Sequence, residues 1–391
     1  MHVLSVNVGS SSLKVALWRL RDGDEQLVAR GAVSRLGETR GRLVVRYGQT
    51  AEHAEPALDA DVPVSDDDAG IGAVLDALIG AGLPRPDAVG HRLVHGGPDL
   101  IQPERVSAEI LARLETVVPF APLHLPHELA VVRAVATRWP ELPQVVCFDT
   151  AFHQRMPEVA RRLPLPRALW DQGVRRYGFH GLSYEYVLSA LGAAASGRLV
   201  IAHLGSGASL AAVRDGAPID TTMGLTPIGG LMMGTRSGDL DPGVLLHLAR
   251  RGPLDVGALE RLVEREAGLY GMSGTSSDVQ SLLARRSTDR AADQALELFC
   301  WIARKHVGAM AASLGGLDQL IFTGGIGEHA AELRAEICAG LGHLAVRLDE
   351  ARNAAGKGVV SGAGASCVVR VVATDEERMI ARHTRVLLTQ T

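Results

Sequence analysis

The chain has 391 residues, a formal net charge of -4 and a pI near 6.4, with 47% hydrophobic and 21% charged residues. At ~150 residues per domain that length calls for two domains, and the apolar content is ample for their cores. The charge balance excludes a basic field for nucleic-acid binding, and no run of about 20 apolar residues marks a membrane span. Met1 to Ser5 carry no basic segment ahead of an apolar stretch, so a soluble cytoplasmic protein is expected. Cys147, Cys300, Cys338 and Cys367 lie far apart among apolar neighbours, which suits buried reduced thiols.

In chain order, Val3 to Trp18 comes first: a β-branched strand, the Gly/Ser turn around Gly9 to Ser12, then a second alternating strand. Asn7 to Lys14 supplies backbone N–H groups, three hydroxyls and one ammonium, the donor set that a polyphosphate needs. Lys14 stands out because Lys305 and Lys357 are the only other lysines in a chain that otherwise uses arginine. The spacing is not that of a Walker loop, and no dinucleotide fingerprint follows any strand. Gly48 to Asp68, acidic and rich in small residues, reads as a solvated loop.

His91 to Gly97 contains two histidines four apart, but Arg92 occupies the position where a zinc helix needs a glutamate, and Gly96-Gly97 would break a helix. Arg92 reads as a guanidinium forking a carboxylate or phosphate, or as a core salt bridge. The segment Pro119 to His127 carries His124. Val145 to Phe148 is an apolar strand delivering Asp149 at its carboxyl end, where the side chain would orient a nucleophile, bind magnesium or cap a helix. Pro157, Pro164 and Pro166 interrupt the pattern and place the domain junction between Asp149 and Arg167. His180, between Gly178 and Gly181, suits a donor exposed to a ligand.

Leu199 to Val213 then repeats the strand, Gly/Ser turn and strand of the N-terminus, which points to a duplicated α/β domain. Asp220 to Gly243 is too rich in Gly and Pro for a regular element and too apolar for a solvated loop; it presents Arg236 and reads as the lining of a site. Val256 to Glu266 and Ala291 to Leu314 are predicted helices. Leu320 to Thr323 is a strand running into Gly324, Gly325 and Gly327, whose bare backbone suits a flat ligand. Ala373 to Arg382 reads as a helix capped by Asp375, with Glu376 in its first turn open to magnesium.

Taken together, Asn7 to Lys14, His91 to Gly97, Phe148 to His153, Tyr177 to Gly181, His203 to Ser209, Met223 to Pro242, Phe322 to His329 and Ala373 to Arg382 resemble the acetate kinase family, in order and over nearly the whole chain. The resemblance implies an α/β fold of duplicated ribonuclease-H-like (actin-like ATPase) domains with an active-site cleft between them. On that pattern the N-terminal domain spans 1–149, completed by a C-terminal helix over 377–391, and the nucleotide-binding domain spans 150–376. It further implies a cytoplasmic homodimer that transfers phosphoryl groups between ATP and acetate, giving ADP and acetyl phosphate, with Mg2+ (or Mn2+) as cofactor.

Carried over position by position, the resemblance puts Arg92, Asp149, His180 and Arg236 in catalysis, with His124 supporting the transfer. Asn7 and Glu376 would hold the metal, and Val94, Leu123, Phe179 and Pro227 would form the pocket for the acid's methyl group. Nucleotide binding would fall to Ser10, Ser12, Lys14, His203, Gly205, Ser206, Gly207, Asp278, Val279, Gln280, Gly324, Gly325, Ile326, Gly327 and His329. Ser206, Gln280 and His329 replace the family's usual residues on the nucleotide side, while the transfer residues match. Propionate or another short acid as acceptor, and pyrophosphate as donor, are the alternatives within enzymes; a non-catalytic actin-like nucleotide-binding module is the alternative outside them.

Overall fold

A computed structural model describes residues 1–9, 12–36, 38–48, 56–252 and 255–390. They form two compact units, Met1–Ala151 with Asp375–Thr391, and Phe152–Thr374.

The first unit is built on strands β1 (His2–Val8), β2 (Ser12–Arg21), β3 (Asp24–Ser34), β4 (Gly41–Tyr47), β5 (Leu58–Val62), β6 (Ala88–Leu93), β7 (Glu104–Arg105) and β8 (Gln144–Phe148), in the order β5-β4-β3-β2-β1-β6-β8-β7. β1 to β5 form an antiparallel meander, whereas β6 joins β1 and β8 joins β6 in parallel. Alternation sorts the side chains between two faces. Leu4, Val6, Val15 and Leu17 pack with Ile71 and Leu75 of the helix Asp67–Gly80 and with Val131 and Val135 of the helix Leu125–Arg138. Val3, Ala16, Trp18 and Leu20 face the other way, onto Ala381 of the helix Glu376–Thr389. The end of the chain thus completes the unit that its beginning starts.

The stretch expected as a solvated loop is partly ordered: β5 adds an edge strand beside β4, and Asp67 starts a helix capped by Asp66. Its acidic residues misled the reading, because on an exposed edge they pair outward, as Asp59 does with Arg42 at 2.5 Å. Residues 49–55 lie outside the described ones.

The second unit repeats the plan with β9 (Arg198–Leu204), β10 (Ala208–Arg214), β11 (Ala217–Thr221), β12 (Gln319–Thr323), β13 (Gly358–Val359) and β14 (Val368–Val371), in the order β11-β10-β9-β12-β14-β13. β9, β10 and β11 are antiparallel neighbours, and β12 and β14 extend the sheet from β9 in parallel. The duplication reaches the far edge: β7 and β13 are both two-residue strands lying antiparallel on the last parallel strand. Helix Gly181–Leu191 covers one face through Tyr184 and Val187, and the helix Arg290–Leu314 lies against β9, β10 and β11. Strands covered on both faces read as unbroken apolar runs, which is why β9 and β12 are buried almost throughout. All four cysteines are buried, and none is in a disulfide. No helix among the described residues is long and apolar enough to cross a membrane.

Candidate active site

In the first unit, adjacent parallel strands β6 and β8 run in register, Arg92 opposite Cys147 and Leu93 opposite Phe148, so their carboxyl ends deliver Arg92 and Asp149 side by side. Arg92 donates from Nη2 and Nε to Asp149 Oδ2 at 2.6 and 3.1 Å, and from Nη1 to Glu128 Oε1 at 3.0 Å and the Val8 carbonyl at 3.3 Å. Of the two readings of Arg92, the salt bridge is present, with Asp149 and Glu128 as its partners. Burial works to lower the Arg92 pKa, but Asp149 and Glu128 outweigh it and hold the group above its ordinary range.

Glu376 opens the C-terminal helix, which Asp375 caps by accepting from the Arg378 N–H, and its Oε2 accepts from Asn7 Nδ2 at 3.1 Å. Burial, then the Asp149 charge, pushes the Glu376 carboxyl up to about 7, against the pull of Arg92. Glu128 also rises to about 7 through burial, with Arg92 opposing. Asp149 Oδ1 is buried and accepts no hydrogen bond from the described residues. Leu123 and His124 line a small recess with Val8, Gly9, His127 and Glu128. Val94 is buried at the end of β6, Ser12 opens β2 and Lys14 is exposed on it; Ser10 lies outside the described residues.

The second unit assembles a different set. His180 precedes the helix Gly181–Leu191 with left-handed backbone (φ 59°), a conformation a non-glycine residue keeps only where its surroundings enforce it. Its ring stacks on His203 with centroids 4.2 Å apart, and Nδ1 bonds the Ser209 hydroxyl at 2.8 Å. His203 Nδ1 meets Ser183 Oγ at 2.8 Å, and Ser183 accepts from Thr374 Oγ1 at 2.9 Å. A Cβ on Gly207 would stand 3.1 Å from His180 Nε2 and 3.6 Å from Arg236 Nη1. Glycine there leaves His180 and Arg236 facing the same space. Arg236 Nη1 also donates to the Pro227 carbonyl at 3.2 Å.

Of the residues expected to hold a nucleotide, Gly205, Ser206 and Gly207 form the β9–β10 turn, and Gly234 N–H donates to the Ser206 carbonyl at 3.3 Å, tying the Gly/Pro-rich segment to it. Gly324, Gly325, Ile326, Gly327 and His329 are not extended glycine backbone but a short helix, Gly324–His329. Gly324 has φ 77°, and a Cβ there would come within 2.7 Å of the Leu204 carbonyl, so the helix sits against the end of β9. Asp278 caps the helix Val279–Arg285 by accepting from Ser281 N–H at 2.7 Å, Val279 is buried and Gln280 exposed. Phe179 and Pro227 are buried in this unit.

Sequence reading missed Glu128, Ser209 and Ser183. Glu128 falls one residue beyond the quoted Pro119 to His127 segment, and nothing in its neighbours marks it as buried. Ser209 sits at the end of a quoted motif, where only its register opposite His203 shows what it touches.

A model of the acetokinase family matches residues 2–382 of the chain. The chain belongs to the acetokinase family. Acetate kinase of Rhodopseudomonas palustris is 45% identical over 97% of both chains, and that of Streptomyces coelicolor 40% over 100% of this chain and 97% of its own. Among solved structures, Porphyromonas gingivalis acetate kinase superposes with TM-score 0.87 at 37% identity, covering 99% of each chain. A propionate kinase from Francisella tularensis gives TM-score 0.90 at 32% identity, over 98% of this chain and 99% of its own. Acetokinase membership makes the chain a phosphotransferase with a carboxyl group as acceptor.

Proposed function

We propose that the chain catalyses reversible, magnesium-dependent, in-line phosphoryl transfer between ATP and acetate, with acetyl phosphate and ADP as products. The observation that carries the reading is Arg92: four of its five N–H donors are engaged by Asp149, Glu128 and the Val8 carbonyl, so the guanidinium is fixed in direction, and among the described residues one Nη2 donor is left for a ligand carboxylate.

Arg92 holds the acid, and Asp149 holds Arg92. Val94 and Leu123 of the first unit and Phe179 and Pro227 of the second are the residues assigned to the methyl group. His180, through Nε2, and Arg236 donate to the equatorial oxygens of the phosphoryl group in flight, and His124 supports them. The acceptor carboxylate is already ionised at neutral pH, so the step needs positioned cations and donors rather than a base. Ser10, Ser12 and Lys14 take phosphate oxygens, and the turn Gly205 to Gly207, the helix Gly324–His329 and Asp278 to Gln280 hold the nucleotide.

Magnesium fits the residues present. Glu128, Asp149 and Glu376 set three carboxylates against one guanidinium, with Lys14 contributing at Glu376, and Asp149 Oδ1 lacks a partner among the described residues. No group of three or more His, Cys, Asp or Glu residues able to cage a metal occurs among them. Magnesium asks instead for one or two carboxylates, water and substrate phosphates, which Glu376 and Asn7, with Asp149, can complement. When bound it neutralises developing charge on the phosphates.

The experiment is hydroxylamine trapping. Purified protein with ATP, Mg2+ and acetate should yield acetyl hydroxamate; no hydroxamate from acetate, propionate or butyrate ends the reading. Likeness to a propionate kinase structure favours one second reading. Val94 at the pocket makes acetate the better acid, and a preference for propionate of roughly tenfold or more would replace it, since one methylene is worth ~1 to 3 kcal/mol. A cytoplasmic homodimer accompanies the proposal and is checked by sedimentation.

A further inference from the structure

Glu128 is a buried carboxylate of which the proposed reaction uses only the contact to Arg92; its second contact, to the Val94 backbone, has no part in that reading. It lies in the first turn of the helix Leu125–Arg138 and is 2% exposed. Its two oxygens are divided between two residues at the end of one strand: Oε1 accepts from Arg92 Nη1 at 3.0 Å, and Oε2 accepts from the Val94 backbone N–H at 2.9 Å. Arg92 lies in β6 and Val94 just past the strand's end at Leu93, so a single carboxylate ties the strand to the bend that follows it. The same side chain lines the recess that contains Leu123 and His124.

Stability does not explain such a group. A carboxylate is costly to desolvate, and a packed apolar residue would usually do as well or better. General-base chemistry does not explain it either, because the acceptor acid carries no proton to remove. What the geometry does provide is a link between the residue that receives the acid's charge and the residue that limits its chain length.

We infer that Glu128 is a positioning residue for the acid site, fixing the Arg92 guanidinium and the Val94 backbone together and so setting both acid affinity and the preference for acetate over longer acids. This inference rests on the carboxylate-kinase reading above. Both partners are N–H donors that cannot accept, so the bridge needs two acceptor oxygens. Glutamine keeps the shape but offers one acceptor, leaving its amide facing a donor. Aspartate keeps the charge but is one methylene too short to span both contacts.

The test is steady-state kinetics of Glu128→Gln and Glu128→Asp with acetate, propionate and ATP varied in turn, beside circular dichroism and thermal melts. The expected result for each folded variant is a rise of about tenfold or more in KM for acetate, the scale of one charge-assisted hydrogen bond. KM for ATP should stay within about twofold, and the acetate-to-propionate ratio of kcat/KM should fall by about threefold or more as Val94 loses its anchor. Unchanged acid KM and selectivity overturns the inference. So does a parallel rise in the acid and ATP constants, or loss of folding in both variants, since either assigns Glu128 to the fold rather than to the acid site. Wild-type protein that makes no acyl phosphate from any short acid counts against the kinase reading instead.

Discussion

The two units share one strand plan and use it for opposite chemistry. In the first, the ends of β6 and β8 gather ions: Arg92 and Asp149, with Glu128 and Glu376 brought in by helices. In the second, the β9–β10 hairpin gathers hydrogen-bonded imidazoles beside one guanidinium: His180 bonded to Ser209, His203 bonded to Ser183, and a glycine whose Cβ would stand close to both His180 and Arg236. Duplication therefore fixes where side chains can be delivered, at the carboxyl ends of parallel strands and in the first hairpin turn, and leaves their charge free to diverge. On the proposed reading, paired charges serve the small acid and preorganised donors serve the phosphoryl group whose charge changes during reaction.

Substitutions in each unit should separate along that line. The largest effect belongs to the second: Arg236→Ala should lower kcat by roughly 10²- to 10³-fold, the scale of a lost transition-state donor, with ATP affinity nearly unchanged in equilibrium binding. An unaffected rate removes Arg236 from the transfer. Next, Gly207→Ala puts a methyl group 3.1 Å from His180 Nε2, and a fall of about tenfold in kcat with a wild-type melting curve is expected. If activity instead survives intact, His180 does not point Nε2 at the reacting group.

In the first unit, Val94→Ala should leave kcat for acetate within a few-fold and raise propionate kcat/KM relative to acetate by up to about tenfold, read from competing-substrate rates. The smallest effect concerns stability. Burial holds Glu376 at about 7, above the ordinary 4.5, so the folded chain keeps a proton that the unfolded chain releases. Stability contributed by this group is complete below the unfolded value and is lost as pH rises through about 7. Melting temperature in the absence of divalent cations should therefore drop by a few degrees between about pH 5 and pH 8. Glu376→Gln should shrink the drop, and a melting temperature that rises steadily over that range would show the carboxylate to be stabilised as an ion.

Much of this was legible in the chain itself. The hairpin at Val3 to Trp18 and its repeat at Leu199 to Val213 announce the duplication because strand, Gly/Ser turn and strand are local patterns. Arg92, Asp149, His180 and Arg236 announce themselves because ionisable groups beside glycines or at the end of an apolar run are rarely core residues. Glu128 gave no such signal: a glutamate in the first turn of a helix is ordinary as a favourable charge near the N-terminal dipole, and only packing against β6 buries it. The run after Thr323 read as bare glycine backbone and is a helix turn, because the end of β9 tightens a segment whose own propensity is poor. Gly48 to Asp68 was read by its charge, yet β5 pairs with β4 through backbone bonds that no side chain advertises.

The sequence by itself determined the α/β class, the repeated hairpins and the chemistry available to the chain, since these follow from periodicity, glycine placement and the identity of the charged side chains. Only the tertiary structure decided which charges share a water-poor interior and that one buried glutamate spans Arg92 and Val94. Those facts depend on contacts between segments distant in the chain, such as Asn7 with Glu376 and Glu128 with Arg92, for which local patterns carry no information.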